Sequence, residues 1–121
     1  MNPIIFAGLP PEVFKAPKRK KIVGVLYLNK VIENHFKISI YNLTPTATGA
    51  REREDKIIPR QMWQYLLRKY TKMSLKKIGE YTNRDHSTII HSCKKVEASL
   101  SFKKDIYHDE FKSIIEKVER L

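Results

Sequence analysis

The sequence predicts an all-α fold, a helical bundle built round a helix, short turn, helix unit at about residues 74–99. Three observations carry this expectation. Apolar residues recur at spacings of three and four through separate stretches, as they do in helices that bury one side. Ser74 and Asp85 stand immediately before two of those stretches, and both are residue types whose side-chain oxygen accepts from the free N–H groups of a first helical turn. The stretch from Asn83 to Lys95 joins a small polar tip to an apolar seam. With 121 residues, the chain is long enough for one domain with one modest core.

Taken in order, residues 1–21 are expected to form a flexible basic arm. Pro3, Pro10, Pro11 and Pro17 interrupt it, and five positive charges fall between Lys15 and Lys21. Residues 22–121 are expected to form a single helical domain. A first helix is predicted from about Lys21 to Phe36, with Ile22, Val25, Leu28, Ile32 and Phe36 on its apolar side, and Tyr41-Asn42-Leu43 is predicted to make a short turn. Residues 44–50 read as a linker rich in Thr, Pro and Gly, followed by a charged loop from Arg51 to Lys56. Pro59 is expected to open the next helix, where its missing N–H costs nothing. On that helix Trp63, Leu66, Leu67 and Tyr70 form the core side, while Gln61, Tyr65 and Arg68 share the opposite one.

Ser74 caps a short helix through about Tyr81. Leu75 and Ile78 are its anchors, and Gly79 permits close packing. Thr82-Asn83 turns the chain into the helix that starts at Asp85. At 100° per residue, Ile89, Cys93, Val96 and Leu100 share one face, and Ser87, His91 and Lys94 share the opposite one. A last helix is predicted from about Lys104 to Leu121. Phe111, Ile114, Ile115, Val118 and Leu121 form its core stripe, opposite a solvated face of alternating charges.

Charge narrows the function. Lys and Arg number 24 against 13 Asp and Glu, a net charge of +11, which biases the chain toward polyanions, nucleic acid first. No apolar run is long enough to cross a bilayer, and the N-terminus lacks the basic segment that opens a secretory signal. One cysteine cannot form an internal disulfide, which fits a reducing cytoplasm. His86, His91 and Cys93 do not suggest a metal, because the wheel separates Cys93 from His91. Asp85 and His86 adjoin at a helix tip, where neither can orient the other for catalysis, so no enzyme is expected. By periodicity alone the pair of helices is not specific, since many helical pairs look like it.

Longer motifs add specificity. Pro59-Arg60-Gln61-Met62, Ser74-Leu75, Ile78-Gly79, Arg84-Asp85-His86-Ser87-Thr88 and His91-Ser92-Cys93-Lys94-Lys95-Val96-Glu97 occur in order. This pattern closely resembles the C-terminal DNA-binding domain of the bacterial replication initiator family DnaA. The likeness extends over about residues 22–100 and more weakly over the final helix. It implies a Trp-repressor-like helix-turn-helix bundle with an extra N-terminal helix and a C-terminal helix. It also implies double-stranded DNA as partner, bound by a monomer, with replication proteins as possible further partners and a nucleoid-associated, cytoplasmic setting.

By this resemblance Asp85, His86, Ser87 and Thr88 read base edges in the major groove. Arg60, Gln61, Arg68, Ser74, Leu75, Lys76, Arg84 and Lys94 meet phosphates. The chemistry suits those roles: a carboxylate accepts from cytosine N4, and backbone N–H groups at a helix start bind phosphate.

The sequence departs from the family pattern in three places. The turn before Arg84 is one residue shorter. Ungapped alignment puts Glu52 where the family has a minor-groove arginine, leaving Arg51 or Arg53 to serve. No Gly-x-x-x-x-Gly-Lys-Ser/Thr loop occurs in the chain, so no nucleotide cofactor is expected. Two functions remain open at this point. One is a sequence-specific DNA-binding protein in replication or regulation. The other is a protein-interaction module on the same scaffold.

Overall fold

A computed structural model describes residues 21–44 and 54–121. The basic arm to Lys20, the linker, and Arg51 and Arg53 lie outside the described residues. Among the described residues six helices follow one another: α1 (Val25–Phe36), α2 (Ile40–Leu43), α3 (Glu54–Tyr70), α4 (Leu75–Thr82), α5 (His86–Ser101) and α6 (His108–Glu119). The fold is all-helical, as the periodicity predicts.

Helix α3 is the axis of the bundle and packs against α1, α2, α4 and α5, while α6 closes the far side against α1 and α5. Its own sequence explains that place. Met62, Trp63, Leu66 and Leu67 are fully buried, with Tyr65 and Tyr70 nearly so, giving an apolar arc wide enough to meet several neighbours. Leu28 and Ile32 come in from α1, Ile78 from α4, Ile89 and Val96 from α5, and Phe111, Ile114 and Val118 from α6.

Several sequence expectations need correction. Helix α3 begins at Glu54, so Pro59 lies inside it rather than opening it, and the supposed charged loop is helical from Glu54 to Lys56. A proline in the second turn forfeits one hydrogen bond, to the residue-55 carbonyl, and the burial of the turns that follow offsets this. Helix α1 begins at Val25. Ile22 is 54% exposed, and Val23 takes the inward place while its N–H donates to the Tyr70 carbonyl. Helix α6 starts at His108, and Leu121 lies beyond its end and is exposed. Tyr65 is buried because α5 packs across the side of α3 that the helical wheel leaves to solvent.

Polar contacts then tie the outer helices to the axis. The Trp63 indole N–H donates to Asn29 Oδ1 at 2.8 Å, and Asn29 Nδ2 donates to the Tyr81 hydroxyl at 3.0 Å. The supposedly solvated face of α6 also has work. Glu110 Oε1 lies 3.3 Å from His35 Nε2, and Lys117 Nζ lies 3.1 Å from His35 Nδ1, pinning α6 to α1.

Candidate nucleic-acid interface

The site grows from the turn between α4 and α5. Ser74 Oγ accepts from the Lys77 N–H at 3.1 Å and caps α4, as its residue type predicts. At the other end Asn83 adopts the left-handed conformation, φ 56° and ψ 47°, which asparagine tolerates better than most residues. The chain then folds back on α4, with the Arg84 N–H donating to the Gly79 carbonyl at 2.8 Å. A Cβ on Gly79 would lie 2.4 Å from the Arg84 carbonyl oxygen, so only glycine admits this approach. Asn83, Arg84 and Asp85 alone therefore link the two helices, which pack against each other.

Asp85 caps α5. Its Oδ1 accepts from the Thr88 hydroxyl at 2.8 Å, the Thr88 N–H at 3.0 Å and the Ser87 hydroxyl at 3.0 Å. The Thr88 hydroxyl and N–H bonds, then Ser87, hold the Asp85 carboxyl below its ordinary range, with His86 adding to the effect. Among the described residues those bonds fall on one oxygen of the carboxylate. Asp85, His86 and Ser87 are exposed and Thr88 is half-buried, so the four expected readers stand together at the tip of α5. Ile89, Cys93 and Val96 are buried behind them, and the seam continues to the half-buried Leu100. Asp85 and His86, with Lys76 and Glu80 of α4 and the linking Asn83 and Arg84, line an open depression.

The expected phosphate contacts divide. Arg68, Lys76 and Lys94 are exposed, Ser74 is exposed at its cap, and Leu75 and Arg84 are half-buried. Arg60 is not a surface cation: it is 5% exposed, and its Nε donates to the Leu43 carbonyl. That carbonyl lies at the end of the short helix α2, and the guanidinium satisfies it inside the fold. Gln61 is half-buried, with its Oε1 fully enclosed. Arg68 lies beside Tyr65, Cys93 and Glu97, along the middle of α5 rather than at its tip. Burial lifts the Cys93 thiol to about 11; Arg68 opposes this and Glu97 adds to it. Cys93 is buried and His91 exposed, and among the described residues no group of three His, Cys, Asp or Glu could hold a metal.

Three further exposed cations, Lys69, Lys72 and Lys77, lie close in sequence to the expected Arg68 and Lys76. With Arg68 and Lys76 they put five positive charges between residues 68 and 77 with no carboxylate among them. That run, interrupted by the Ser74 cap, was readable as a basic patch round the start of α4. Lys69 is also held over the Tyr65 and Tyr70 rings, at 5.7 and 5.5 Å from their centroids.

A sequence model described as the bacterial dnaA protein helix-turn-helix matches residues 27–96, from the first turn of α1 through most of α5. The chain belongs to the bacterial DnaA helix-turn-helix family. Among its relatives is the chromosomal replication initiator protein DnaA of Citrifermentans bemidjiense, 32% identical over 104 residues that make up 85% of this chain and 21% of that protein. The DnaA of Geotalea daltonii is 35% identical over the same shares. That of Lachnoclostridium phytofermentans is 38% identical over 91 residues, 74% of this chain and 19% of the relative. The chain thus spans about a fifth of the length of these relatives. The DnaA match takes in α4, the short turn and the capped start of α5, and stops before α6, the helix that braces α1 and α5 from outside the matched region.

Proposed function

We propose that this chain is a sequence-specific double-stranded DNA-binding protein of replication initiation, binding as a monomer with the tip of α5 in the major groove. The observation that carries this reading is the polar tip itself: Asp85, His86, Ser87 and Thr88 are gathered on the first turn of a helix whose other face is anchored in the core. A helix-turn-helix uses the N-terminal end of its second helix in this way.

Affinity comes from Arg68, Lys76, Lys77, Arg84 and Lys94, which release counterions from phosphates, and from the free N–H groups of the first turn of α4 at Ser74 and Leu75. Gln61 adds an amide donor. Arg51 or Arg53 enters the minor groove. Base choice follows from hydrogen-bond polarity. The Ser87 and Thr88 hydroxyl protons already go to Asp85, so these oxygens meet a base as acceptors. The Asp85 carboxylate is an acceptor too. The tip therefore suits the amino groups of cytosine N4 and adenine N6, with His86 packing on a thymine methyl or donating to a keto oxygen.

Selection of bound sequences from a random duplex pool tests the reading. A consensus with amino groups under the tip supports it, and a pool with no enrichment would overturn it. A salt series separates the phosphate layer, because binding through phosphates weakens steeply between roughly 50 and 200 mM salt. Absence of any duplex binding at low salt would favour a protein-interaction module.

A further inference from the structure

Beyond the four residues at its tip, α5 carries a histidine that neither the core nor the proposed readers use. His91 is exposed, and among the described residues it makes no hydrogen bond or ion pair. It stands four residues after Ser87, about 6 Å further along the helix and within about 40° of it round the axis. Lys94 shares that side and Lys95 borders it, and both are exposed. Ile89, Cys93 and Val96 on the opposite face are buried, so Ser87, His91 and Lys94 form the outward ridge of α5. The inference below rests on the reading in which the tip enters the major groove. There the ridge follows the tip inward: the foremost turn meets base edges, and a side chain one turn back meets the phosphates of the groove wall.

We propose that His91 is a further DNA contact, an imidazolium that donates a hydrogen bond to a backbone phosphate, and that it takes up a proton as the complex forms. Imidazole is the side chain whose charge changes between about pH 5 and 8. A phosphate within hydrogen-bond reach favours the charged ring, which has an N–H at both nitrogens and so donates to an anion whichever edge faces it. The other charged groups along α5 are placed elsewhere. Lys94 and Lys95 follow on the same helix. From α3, Arg68 stands beside Cys93 and Glu97 on another side. From α4, Lys76 and Glu80 line the depression by His86. From α6, His108 Nδ1 lies 3.1 Å from the Ser99 carbonyl, near the far end of α5. Linkage fixes the sign: the charged ring binds, so the contribution of His91 is fullest at low pH and fades as pH rises through the range in which imidazole titrates.

Titration of the whole chain with a random duplex at about pH 6 and about pH 8, at one salt concentration, tests this. At the lower pH the unaltered chain should bind about tenfold more tightly than His91→Gln, the worth of one charge-assisted hydrogen bond, and at the higher pH the two should converge. His91→Lys, whose charge does not titrate in this range, should bind tightly at both. The other three histidines are common to all three proteins, so their titration cancels. Since His91 is exposed, Tm should be the same throughout. Equal affinity of the chain and His91→Gln at about pH 6 would overturn the inference and leave the DNA-binding reading standing. A loss confined to the sequence selected from a random pool would also overturn it, by making His91 a base reader. No duplex binding by the unaltered chain at either pH would overturn both.

Discussion

The two halves of α3 put the same residue types to opposite uses. In its N-terminal half Arg60 is buried against the Leu43 carbonyl, and just past its midpoint Gln64 is buried against Thr82. In its C-terminal half Arg68 and Lys69 stand in solvent beside the run of cations that continues to Lys77. The difference is set by neighbours rather than by side-chain chemistry. Helix α2 ends above Arg60 with a carbonyl that needs a donor, and the turn after α4 ends against Gln64. Past Tyr65, among the described residues, Arg68 and Lys69 on the polar side of α3 remain exposed beside α5. A cation's place on this helix is thus decided by what crosses it, and the inner part supports the turn whose outer face is proposed to meet DNA.

The sharpest way to break that support is Gly79→Ala. The new Cβ would lie 2.4 Å from backbone oxygen, which cannot rotate away, so the turn must shift. Urea unfolding should show a loss of about 3 kcal/mol with little change in slope. Arg60→Ala comes next. It leaves the Leu43 carbonyl without its donor and should cost about 2–3 kcal/mol of stability, with site preference on DNA retained. His86→Ala should leave Tm unchanged and reduce discrimination between cognate and random duplex by about 1–3 kcal/mol. Equal losses on both duplexes would remove its reading role. Arg68→Ala should change stability by less than about 0.5 kcal/mol, weaken binding to all sequences alike, and lower the salt slope by about 0.9. A stability loss as large as that of Arg60→Ala would erase the contrast between the two halves.

The smallest effect is one of pH. Cys93 has its thiol raised from 9.0 to about 11 by burial, so its favourable term is complete below about pH 9 and fades as pH rises toward 11. Cys93→Ala should flatten that alkaline decline in Tm.

These contrasts also show where local sequence is informative. Ser74 and Asp85 were legible as caps because capping depends on residues one to three positions away. The seam of Ile89, Cys93 and Val96 was legible because helical geometry alone puts those side chains on one face. Gly79 was legible as a point of close packing, though only the fold shows that its partner is the carbonyl of Arg84. The residues proposed as readers at the tip are marked by motif, and the fold gathers them on one turn of α5. Tyr65 was misread because a helical wheel knows the faces of one helix but not how many neighbours will cover them; Arg60 was carried over by resemblance, which does not say that α2 ends over it. Pro59 misled because local cost argued for a helix start, whereas packing of the later turns carried the helix further back.

By itself the sequence determined the all-helical class, the two caps, the buried seam of α5 and the polar tip beside it, since each follows from propensity and period within a few residues. The tertiary structure decided which polar groups belong to the interior. Arg60 serves Leu43, 17 positions away, Gln64 serves Thr82, 18 positions away, and His35 meets Lys117 across 82 positions. Such pairings depend on which helices cross, and crossing is fixed by the summed burial of the whole core rather than by any single stretch of the chain.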